Sequence, residues 1–443
     1  MKKKIILLIL TCSVFLTGCL NRNSDENPID DEIQLANYVT PDYDEEYDEE
    51  VDKDLDKEKE DEVVEPEPEM VNALIQLVGD ILLHPRYTGS VETARTGPDT
   101  FNFHPFLEHI APYIVGDLAI ANMETPVDVM GGNQDLSTFP FFNVPFEILP
   151  ALVDTGFNHL VTANNHSFDR GFGGLVATVD NIAKAGLTQT GMYVDRAAFD
   201  ELTIKDVNGI KVGIIAYTDS VNGLESFVTD DQREFAVRRF RSHVLDDVER
   251  MAVNISRLRD AGAEFVILSV HWGAEYVDEP TQMQRLVARA LVDAGADVIM
   301  GNHAHVVQPV EWHEREDGSR GFIIYSLGNF LADQTRLTAP SIDAQINSGH
   351  GRTQYGKIVN INIERDNSGT VSIVDANIIP TLTMRDYGGN TLRFVDDVTV
   401  LPIFDAELPD FVSYEPTRNW GRVAYEHVTR IVGREFILGR ENE

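Results

Sequence analysis

The stretch Ala296-Asp297-Val298-Ile299-Met300-Gly301-Asn302-His303-Ala304-His305 places two histidines directly after a short apolar run. Residues 296–300 are apolar and partly β-branched, which predicts a buried strand, so both imidazoles leave the end of that strand together. Side chains two residues apart in extended backbone point the same way, which suits one metal ion or two adjacent ions. An exposed polar turn is the alternative interpretation of an isolated pair, so its meaning depends on the rest of the chain.

Four further apolar runs are followed by polar groups that can bind a metal. They are residues 73–78 before Asp80, 118–121 before Glu124, 159–163 before Asn165 and His166, and 265–270 before His271. Each group alone has an ordinary explanation, such as a turn, a helix N-cap or a loop histidine. Because the carboxyl ends of strands in an open α/β sheet share one edge, we expect these groups to converge on a rigid base. Two carboxylates, an amide and several imidazoles are ligands typical of manganese, iron or zinc.

The globular part of the chain alternates strand and helix patterns for some 310 residues, which predicts one elaborated α/β domain. An Asn208-Gly209 turn between residues 202–204 and 211–217 predicts a β-hairpin. Further predicted strands cover residues 321–326, 357–363 and 371–379, and predicted helices cover residues 145–154, 175–185, 244–261, 282–294 and 420–432.

The first 19 residues have the features of an export signal. A basic start is followed by an apolar segment, residues 5–15, that is too short for a comfortable membrane span, and then by Leu16-Thr17-Gly18-Cys19. This ending resembles the lipobox of bacterial lipoproteins, which implies that Cys19 is lipidated and becomes the first mature residue. An ordinary signal peptide with a chance cysteine is the alternative. The only other cysteine is Cys12, so we expect a mature chain without disulfides, whose metal ligands are nitrogen and oxygen.

Residues 21–70 contain 22 Asp and Glu against 4 Lys and Arg, a net charge of −18 out of −37 for the chain. Such a segment buries too little apolar surface to offset its chain entropy, and its own repulsion extends it. We therefore predict a disordered tether over residues 20–70, although a run that binds cations or a basic partner is an alternative. The remaining chain is also acidic, so we expect no nucleic-acid partner.

Six blocks of sequence together resemble the CapA-type poly-gamma-glutamate capsule proteins, within the calcineurin-like metallophosphoesterase superfamily. The resemblance covers about residues 72–380, with a C-terminal extension, residues 381–443, expected to pack on the domain. The blocks are Gly-Asp at 79–80, Asn-x-Glu-Thr-Pro at 122–126, Asn-Asn-His with Asp and Gly following at 164–171, His-Trp-Gly-x-Glu-Tyr at 271–276, Gly-x-His-x-His-Val-Val-Gln at 301–308 and Tyr-Ser-Leu-Gly-Asn-Phe at 325–330.

This resemblance implies a four-layer α/β/β/α sandwich with two divalent metal ions at the sheet edge. Of the implied ligands, Asp80 holds the first metal, Glu124 bridges, Asn165, His271 and His303 hold the second metal, and His305 returns to the first. His166 is then the general acid beside the leaving group.

Two positions depart from the superfamily pattern. The usual Asp-x-His is absent, because Ile81 and Leu82 follow Asp80, and the bridging carboxylate is Glu124 rather than an aspartate. The nearest imidazole is His84, which is either a substitute ligand or an ordinary loop histidine. We therefore expect the first metal site to be the weaker one.

Two functional hypotheses follow from the sequence. One is a metal-dependent hydrolase outside the membrane, acting on a phosphoester or on an amide or ester of an envelope polymer. The other is a non-enzymatic assembly or export factor that retains a structural metal. Both are compatible with a role in polyglutamate synthesis or export at the cell surface, beside the subunits of a polyglutamate synthase. The chain has no recognisable nucleophile elbow, phosphate-binding Gly-rich loop or cysteine nucleophile.

Overall fold

The computed structural model describes residues 71–84, 90–128, 136–332, 334, 350–385, 398–410 and 415–439. The predicted signal segment with Cys19 and the predicted acidic tether lie outside the described residues. The strands are β1 Val71–Leu82, β2 Arg95–Gly97, β3 Thr100–Phe101, β4 Leu118–Met123, β5 His159–Val161, β6 Thr188–Thr190, β7 Thr203–Val207, β8 Ile210–Thr218, β9 Phe265–His271, β10 Val298–Asn302, β11 Val310–Glu314, β12 Arg320–Ile324, β13 Asn329–Ala332, β14 Tyr355–Arg365, β15 Val371–Arg385 and β16 Val398–Pro402.

The α-helices alternate with these strands along the chain. They are α1 Ser90–Thr93, α2 His104–Leu107, α3 Ile148–Thr155, α4 Gly171–Lys184, α5 Arg196–Asp200, α6 Asp230–Phe235, α7 Leu245–Asp260, α8 Gln282–Asp293 and α9 Glu415–Val432. Among the described residues, no helix is both long enough and apolar enough to cross a membrane.

Two mixed sheets form the centre of the domain. The first has the strand order β16-β15-β14-β1-β4-β5-β6, with β13 also paired to β1, and the second has the order β11-β12-β10-β9-β8-β7. The neighbours β1, β4, β5 and β6 run parallel, as do β8, β9, β10 and β12. In each sheet, therefore, the carboxyl ends of the parallel strands meet at one edge.

The two sheets face each other across a common hydrophobic core. In β9, Phe265 and Ile267 belong to the core between the sheets, whereas Val266 and Leu268 belong to the core under α7 and α8. This alternation follows from the two-residue period of a strand. The first sheet likewise carries α3 on its outer face. The predicted four-layer α/β/β/α fold is thereby confirmed.

The predicted β-hairpin is present as β7 and β8, which pair in antiparallel register from Val207 and Ile210 outward. Asn208 and Gly209 have φ values of 52° and 84°, the left-handed pair that a two-residue hairpin turn requires. The sequence pattern therefore predicted both the strands and the turn.

Several element boundaries differ from the predicted ones. Strand β15 continues beyond residue 379 to Arg385, so the predicted domain boundary at residue 380 falls inside a strand. Helix α9 begins at Glu415 rather than at Trp420, and its Trp420, Ala424 and Val428 join the core between the sheets. These ends depend on tertiary packing, which local periodicity does not report.

Candidate metal centre

Five predicted metal ligands lie together where the edges of the two sheets meet. Asp80 lies within β1 and Glu124 follows β4 of the first sheet, whereas His271 ends β9 and the pair His303 and His305 follows β10 of the second. All five are buried, and Asp80, Glu124 and His271 have no exposed surface. The parallel strands thus deliver their polar ends to a single enclosed place.

Glu124 occupies the middle of this group. Its Oε1 lies 3.4 Å from Nε2 of His271 and 3.6 Å from Nε2 of His305. Among the described residues, neither carboxylate oxygen of Glu124 has a hydrogen-bond partner. Because an unpaired buried carboxylate is strongly destabilising, these two oxygens fit a bound cation.

Asp80 lies beside Glu124 and contacts His305. Its Oδ1 accepts a hydrogen bond of 2.7 Å from Nδ2 of Asn122, and its Oδ2 lies 3.1 Å from Nδ1 of His305. The same His305 nitrogen is 3.1 Å from Oδ1 of Asn329. The asparagine side chains therefore orient groups that surround the carboxylates.

Two sets of three ligand atoms are close enough to hold an ion. Glu124, His303 and His305 form one set, and Asp80, Glu124 and His271 form the other, with ligand atoms within 4.8 Å of one another in each. Glu124 is common to both sets, which is the arrangement of a bridging ligand. Mixed carboxylate and imidazole donors suit manganese, iron or zinc. The residues present thus fit a bound divalent metal.

Asn165 and His166 follow β5, and their side chains have different partners. Oδ1 of Asn165 is 2.9 Å from Nε2 of His271, so the amide joins the ligand cluster. Nδ1 of His166 instead lies 2.8 Å from Oδ2 of Asp169, and the His166 ring stands edge-on to Phe142 at 4.7 Å between centroids. Asp169 thus fixes the orientation of the His166 ring through Nδ1.

Close packing of the backbone around the cluster requires glycine at two positions. A Cβ atom on Gly79 would lie 1.8 Å from the carbonyl oxygen of Gly328, and one on Gly301 would lie 2.0 Å from that of Tyr325. His303 and His305 themselves have φ values of 92° and 56°. Left-handed conformations at non-glycine residues cost free energy and are concentrated at functional sites.

Burial controls the protonation of the cluster. Burial, and then the charge of Asp80, raises the pKa of Glu124 well above its ordinary value. Burial lowers the pKa of His271 well below its ordinary value and lowers the pKa of His303 to about 4. For His305, burial lowers the pKa, but the hydrogen bond and charge of Asp80 outweigh burial and raise it. Neutral imidazoles at His271 and His303 are in the form that binds metal ions.

The position that carries the histidine of the usual Asp-x-His pattern is occupied by Leu82. Its side chain is buried against Phe142 and Ala332. His84 stands edge-on to Phe142 at 5.1 Å and belongs to neither set of ligand atoms. Among the described residues, the set around Asp80 therefore has one imidazole, from His271, whereas the set around His303 has two.

Some residues of the site were not identified from the sequence as functional. Asn122 and Asn329 lie within blocks that carry the resemblance, but both contact ligands rather than belonging to the ligand sets. Two features of the sequence could have identified them: Asn122 stands two residues before Glu124, and Asn329 stands at the start of β13. The structure brings the predicted residues together, and their role as metal ligands stays a prediction.

Comparison with known proteins gives a family match and similar curated proteins. The family model described as bacterial capsule synthesis protein PGA_cap matches residues 74–334. The chain is 28% identical over 302 residues to the PGA biosynthesis protein CapA of Bacillus subtilis strain 168, covering 68% of this chain and 70% of that protein. It is 28% identical over 308 residues to the capsule biosynthesis protein CapA of Bacillus anthracis, covering 68% of this chain and 66% of that protein.

Among solved structures, the NAD nucleotidase of Haemophilus influenzae aligns with a TM-score of 0.41 and 12% identity, over 83% of this chain and 64% of that chain. A similarity at this level carries no argument about function.

Proposed function

Because the chain belongs to the bacterial capsule synthesis protein family PGA_cap, we propose that it acts in the synthesis or export of a poly-gamma-glutamate type polymer. Two similar Bacillus proteins carry names that refer to PGA or capsule biosynthesis. Within that role, we propose that the domain is a metal-dependent hydrolase of a phosphoester, or of an amide or ester of the polymer.

One observation carries the hydrolase proposal. Both oxygens of Glu124 are buried among His271, His303 and His305 with no hydrogen-bond partner in the described part of the chain. A carboxylate that served only the fold would accept hydrogen bonds from nearby donors. A carboxylate left for a cation is the feature expected of a metal centre.

In the proposed site, Glu124 would be shared: its ligand atoms lie close enough to those of Asp80 and His271 to hold one ion, and to those of His303 and His305 to hold another, with Asn165 beside His271. This grouping differs from the one that the family resemblance implies, which places His305 with Asp80 and His271 with His303. When bound, two divalent ions lower the pKa of a water and stabilise charge on the oxygens of the group undergoing displacement. The protein contributes neutral imidazoles, enclosure from solvent and fixed ligand positions.

His166 is the proposed proton donor to the leaving group. Its Nδ1 contacts Asp169, whose Oδ2 also accepts a 2.7 Å hydrogen bond from the backbone nitrogen of Phe142. Asp169 is thus fixed by the backbone, and it in turn fixes the orientation of the His166 ring. The Nε2 proton of His166 is then available to the departing oxygen.

Elemental analysis together with turnover of an aryl phosphate tests the proposal. Wild-type protein should carry one to two equivalents of manganese, iron or zinc. His166→Ala should keep its metal while turnover falls by roughly two to four orders of magnitude, because a proton donor is lost and no ligand is removed.

Two outcomes would change this proposal. Protein that stays metal-free after attempted reconstitution would rule out the metal centre. Metal-loaded protein that hydrolyses neither aryl phosphates nor polyglutamate would favour the assembly or export factor instead.

We also propose that the domain is attached to the extracytoplasmic face of the cell membrane through lipidated Cys19. The support is the order of basic, apolar and Leu-Thr-Gly-Cys features in residues 1–19. Cys19→Ser should release the protein from the membrane fraction or leave the unprocessed form to accumulate. Equal membrane attachment with normal processing would contradict the anchor.

A further inference from the structure

Tyr276, in the segment that follows β9, combines an exposed ring with an unfavourable backbone. Its φ is 63°, and the residue is 47% exposed. A bulky residue rarely adopts a left-handed conformation, and an exposed ring gains little burial in return. The Tyr276 ring centroid lies 6.0 Å from that of His305, so the ring stands beside the metal centre.

Backbone hydrogen bonds fix this conformation from the side of the metal centre. The backbone nitrogen of Tyr276 donates a 2.8 Å hydrogen bond to the carbonyl oxygen of Ala304, the residue between His303 and His305. Nε2 of Gln308 donates a 2.7 Å hydrogen bond to the carbonyl oxygen of Val277. The position of Tyr276 is thus tied directly to the strand end that carries the two histidines.

The C-terminal part of the domain holds the same segment from the other side. Arg352 pairs with Asp278 and donates a 3.5 Å hydrogen bond to the carbonyl oxygen of Tyr276. Nε2 of His427, on α9, lies 3.9 Å from Oδ2 of Asp278, and the His427 ring lies 5.5 Å from that of Tyr355. Arg352 and His427 lie beyond the family match, which ends at residue 334.

We propose that Tyr276 contacts the substrate of the metal centre, and that Arg352, Asp278 and His427 position it. A neutral phenol beside the metal ions can donate a hydrogen bond to an anionic phosphoryl or carboxyl oxygen of the substrate. The strained backbone is retained because it presents the phenol, not because it stabilises the fold. This inference rests on the hydrolase function proposed above.

Tyr276→Gly separates a substrate contact from a structural role. Glycine accepts a φ of 63° without strain, so the metal-free variant should unfold at an unchanged temperature or about 2 °C higher. The KM for an aryl phosphate and the dissociation constant of inorganic phosphate should each rise about 10-fold, because a hydrogen bond to a charged group is lost. Metal content should stay at the wild-type value, and Tyr276→Phe should show the same loss of phosphate affinity.

A double variant tests the positioning residues. Asp278→Asn should raise KM about 3-fold while kcat changes less than about 2-fold, and it should add nothing in the Tyr276→Gly background. Glu426→Gln, on the exposed side of α9 next to His427, is the matched control and should leave KM unchanged. Additive effects of Asp278→Asn and Tyr276→Gly would reject positioning through Tyr276.

Different results would reject the hydrolase function and the substrate contact by Tyr276. Wild-type metal-loaded protein that neither hydrolyses aryl phosphate nor binds inorganic phosphate rejects the hydrolase proposal, and the inference with it. An active wild type together with a Tyr276→Gly variant of equal phosphate affinity rejects the inference alone, as does a Tyr276→Gly variant that merely unfolds at lower temperature.

Discussion

The two ends of strand β10 place buried carboxylates in opposite situations. Before β10, Oδ2 of Asp297 accepts a 2.8 Å hydrogen bond from the backbone nitrogen of Val266 and also pairs with Arg259. Its Oδ1 lies 3.0 Å from Nη2 of Arg315. Beyond the other end of β10, Glu124 faces imidazoles, and within the described ranges neither of its oxygens accepts a hydrogen bond.

The difference in hydrogen bonding indicates that the Asp297 carboxylate stabilises the fold, whereas the Glu124 carboxyl group is available to bind a ligand. A buried charge is tolerated when arginines and backbone donors satisfy it, as at Asp297. At Glu124 neither oxygen has a hydrogen-bond partner among the described residues, and burial raises the pKa of the carboxyl group. A cation supplied from solution would provide the missing partner.

The largest expected effect is at the histidine end of β10. His303→Ala should lose at least one equivalent of metal and reduce turnover by at least about 1,000-fold, because a neutral imidazole ligand is removed. The control is His313→Ala on β11, whose Nε2 lies 2.8 Å from Oδ1 of Asp293. Elemental analysis and kinetics should find the control unchanged, and equal losses in both variants would contradict the assignment of the site.

A second pair of substitutions compares the two carboxylates directly. Asp297→Asn should destabilise the protein by about 3 kcal/mol, because Arg259 and Arg315 lose their buried partner. In metal-free protein, Glu124→Gln should leave stability unchanged or raise it by about 1 kcal/mol, since a buried carboxyl group without hydrogen-bond partners is replaced by a neutral amide. Chemical denaturation of the metal-free proteins measures both values. A comparable loss at Glu124 would show that its carboxylate stabilises the metal-free fold.

In the metal-free protein, the free energy of unfolding should depend on pH through His303. Burial, and then the charge of His305, lowers the pKa of His303 to about 4 from an ordinary 6.5. The stability contributed by neutral His303 is present above pH 6.5 and is lost as pH falls toward 4, by at most about 3 kcal/mol. Denaturation from pH 7 to pH 4 should show this loss in wild type and a smaller loss in His303→Ala.

Glu124 acts in the opposite direction over the same titration. Because its pKa is raised, the stability of its protonated form is present below its ordinary value and is lost as pH rises through the raised pKa. Glu124→Gln should therefore flatten the alkaline side of the metal-free profile. If neither Glu124→Gln nor His303→Ala changes the dependence of stability on pH, these two residues are not its source.

The smallest expected effect concerns the carboxylates of residues 21–70. We predict that these carboxylates are exposed to water, unlike the buried carboxyl groups of Asp297 and Glu124. A chain that begins at residue 71 should unfold within about 1 °C of one that begins at residue 20, because the acidic segment has little apolar surface to pack. A drop of many degrees in thermal unfolding would show that the segment is structural.

Much of the site was predictable because it depends on local sequence patterns. Apolar runs that end in Asp80, Glu124, His271 and His303 are visible in the chain, and parallel strands place such ends at one edge. The Asn208-Gly209 turn was predictable for a similar reason, since few residues accept two successive left-handed conformations. Strand and helix ends were less predictable because packing moves them, as at Arg385 of β15.

Local sequence patterns identify the polar groups that follow the strands, but long-range contacts set which of these groups have hydrogen-bond partners. Asp297 and Glu124 each flank a buried apolar strand, and nothing local distinguishes the structural carboxylate from the one that is available for a ligand. Arg259 reaches Asp297 from α7 and Arg315 reaches it from the segment after β11, so its satisfaction is a long-range contact. The partners of Tyr276, from Ala304 to Arg352, are equally remote in sequence. Hydrogen-bond satisfaction depends on which segments meet in space, and periodicity along the chain does not report that.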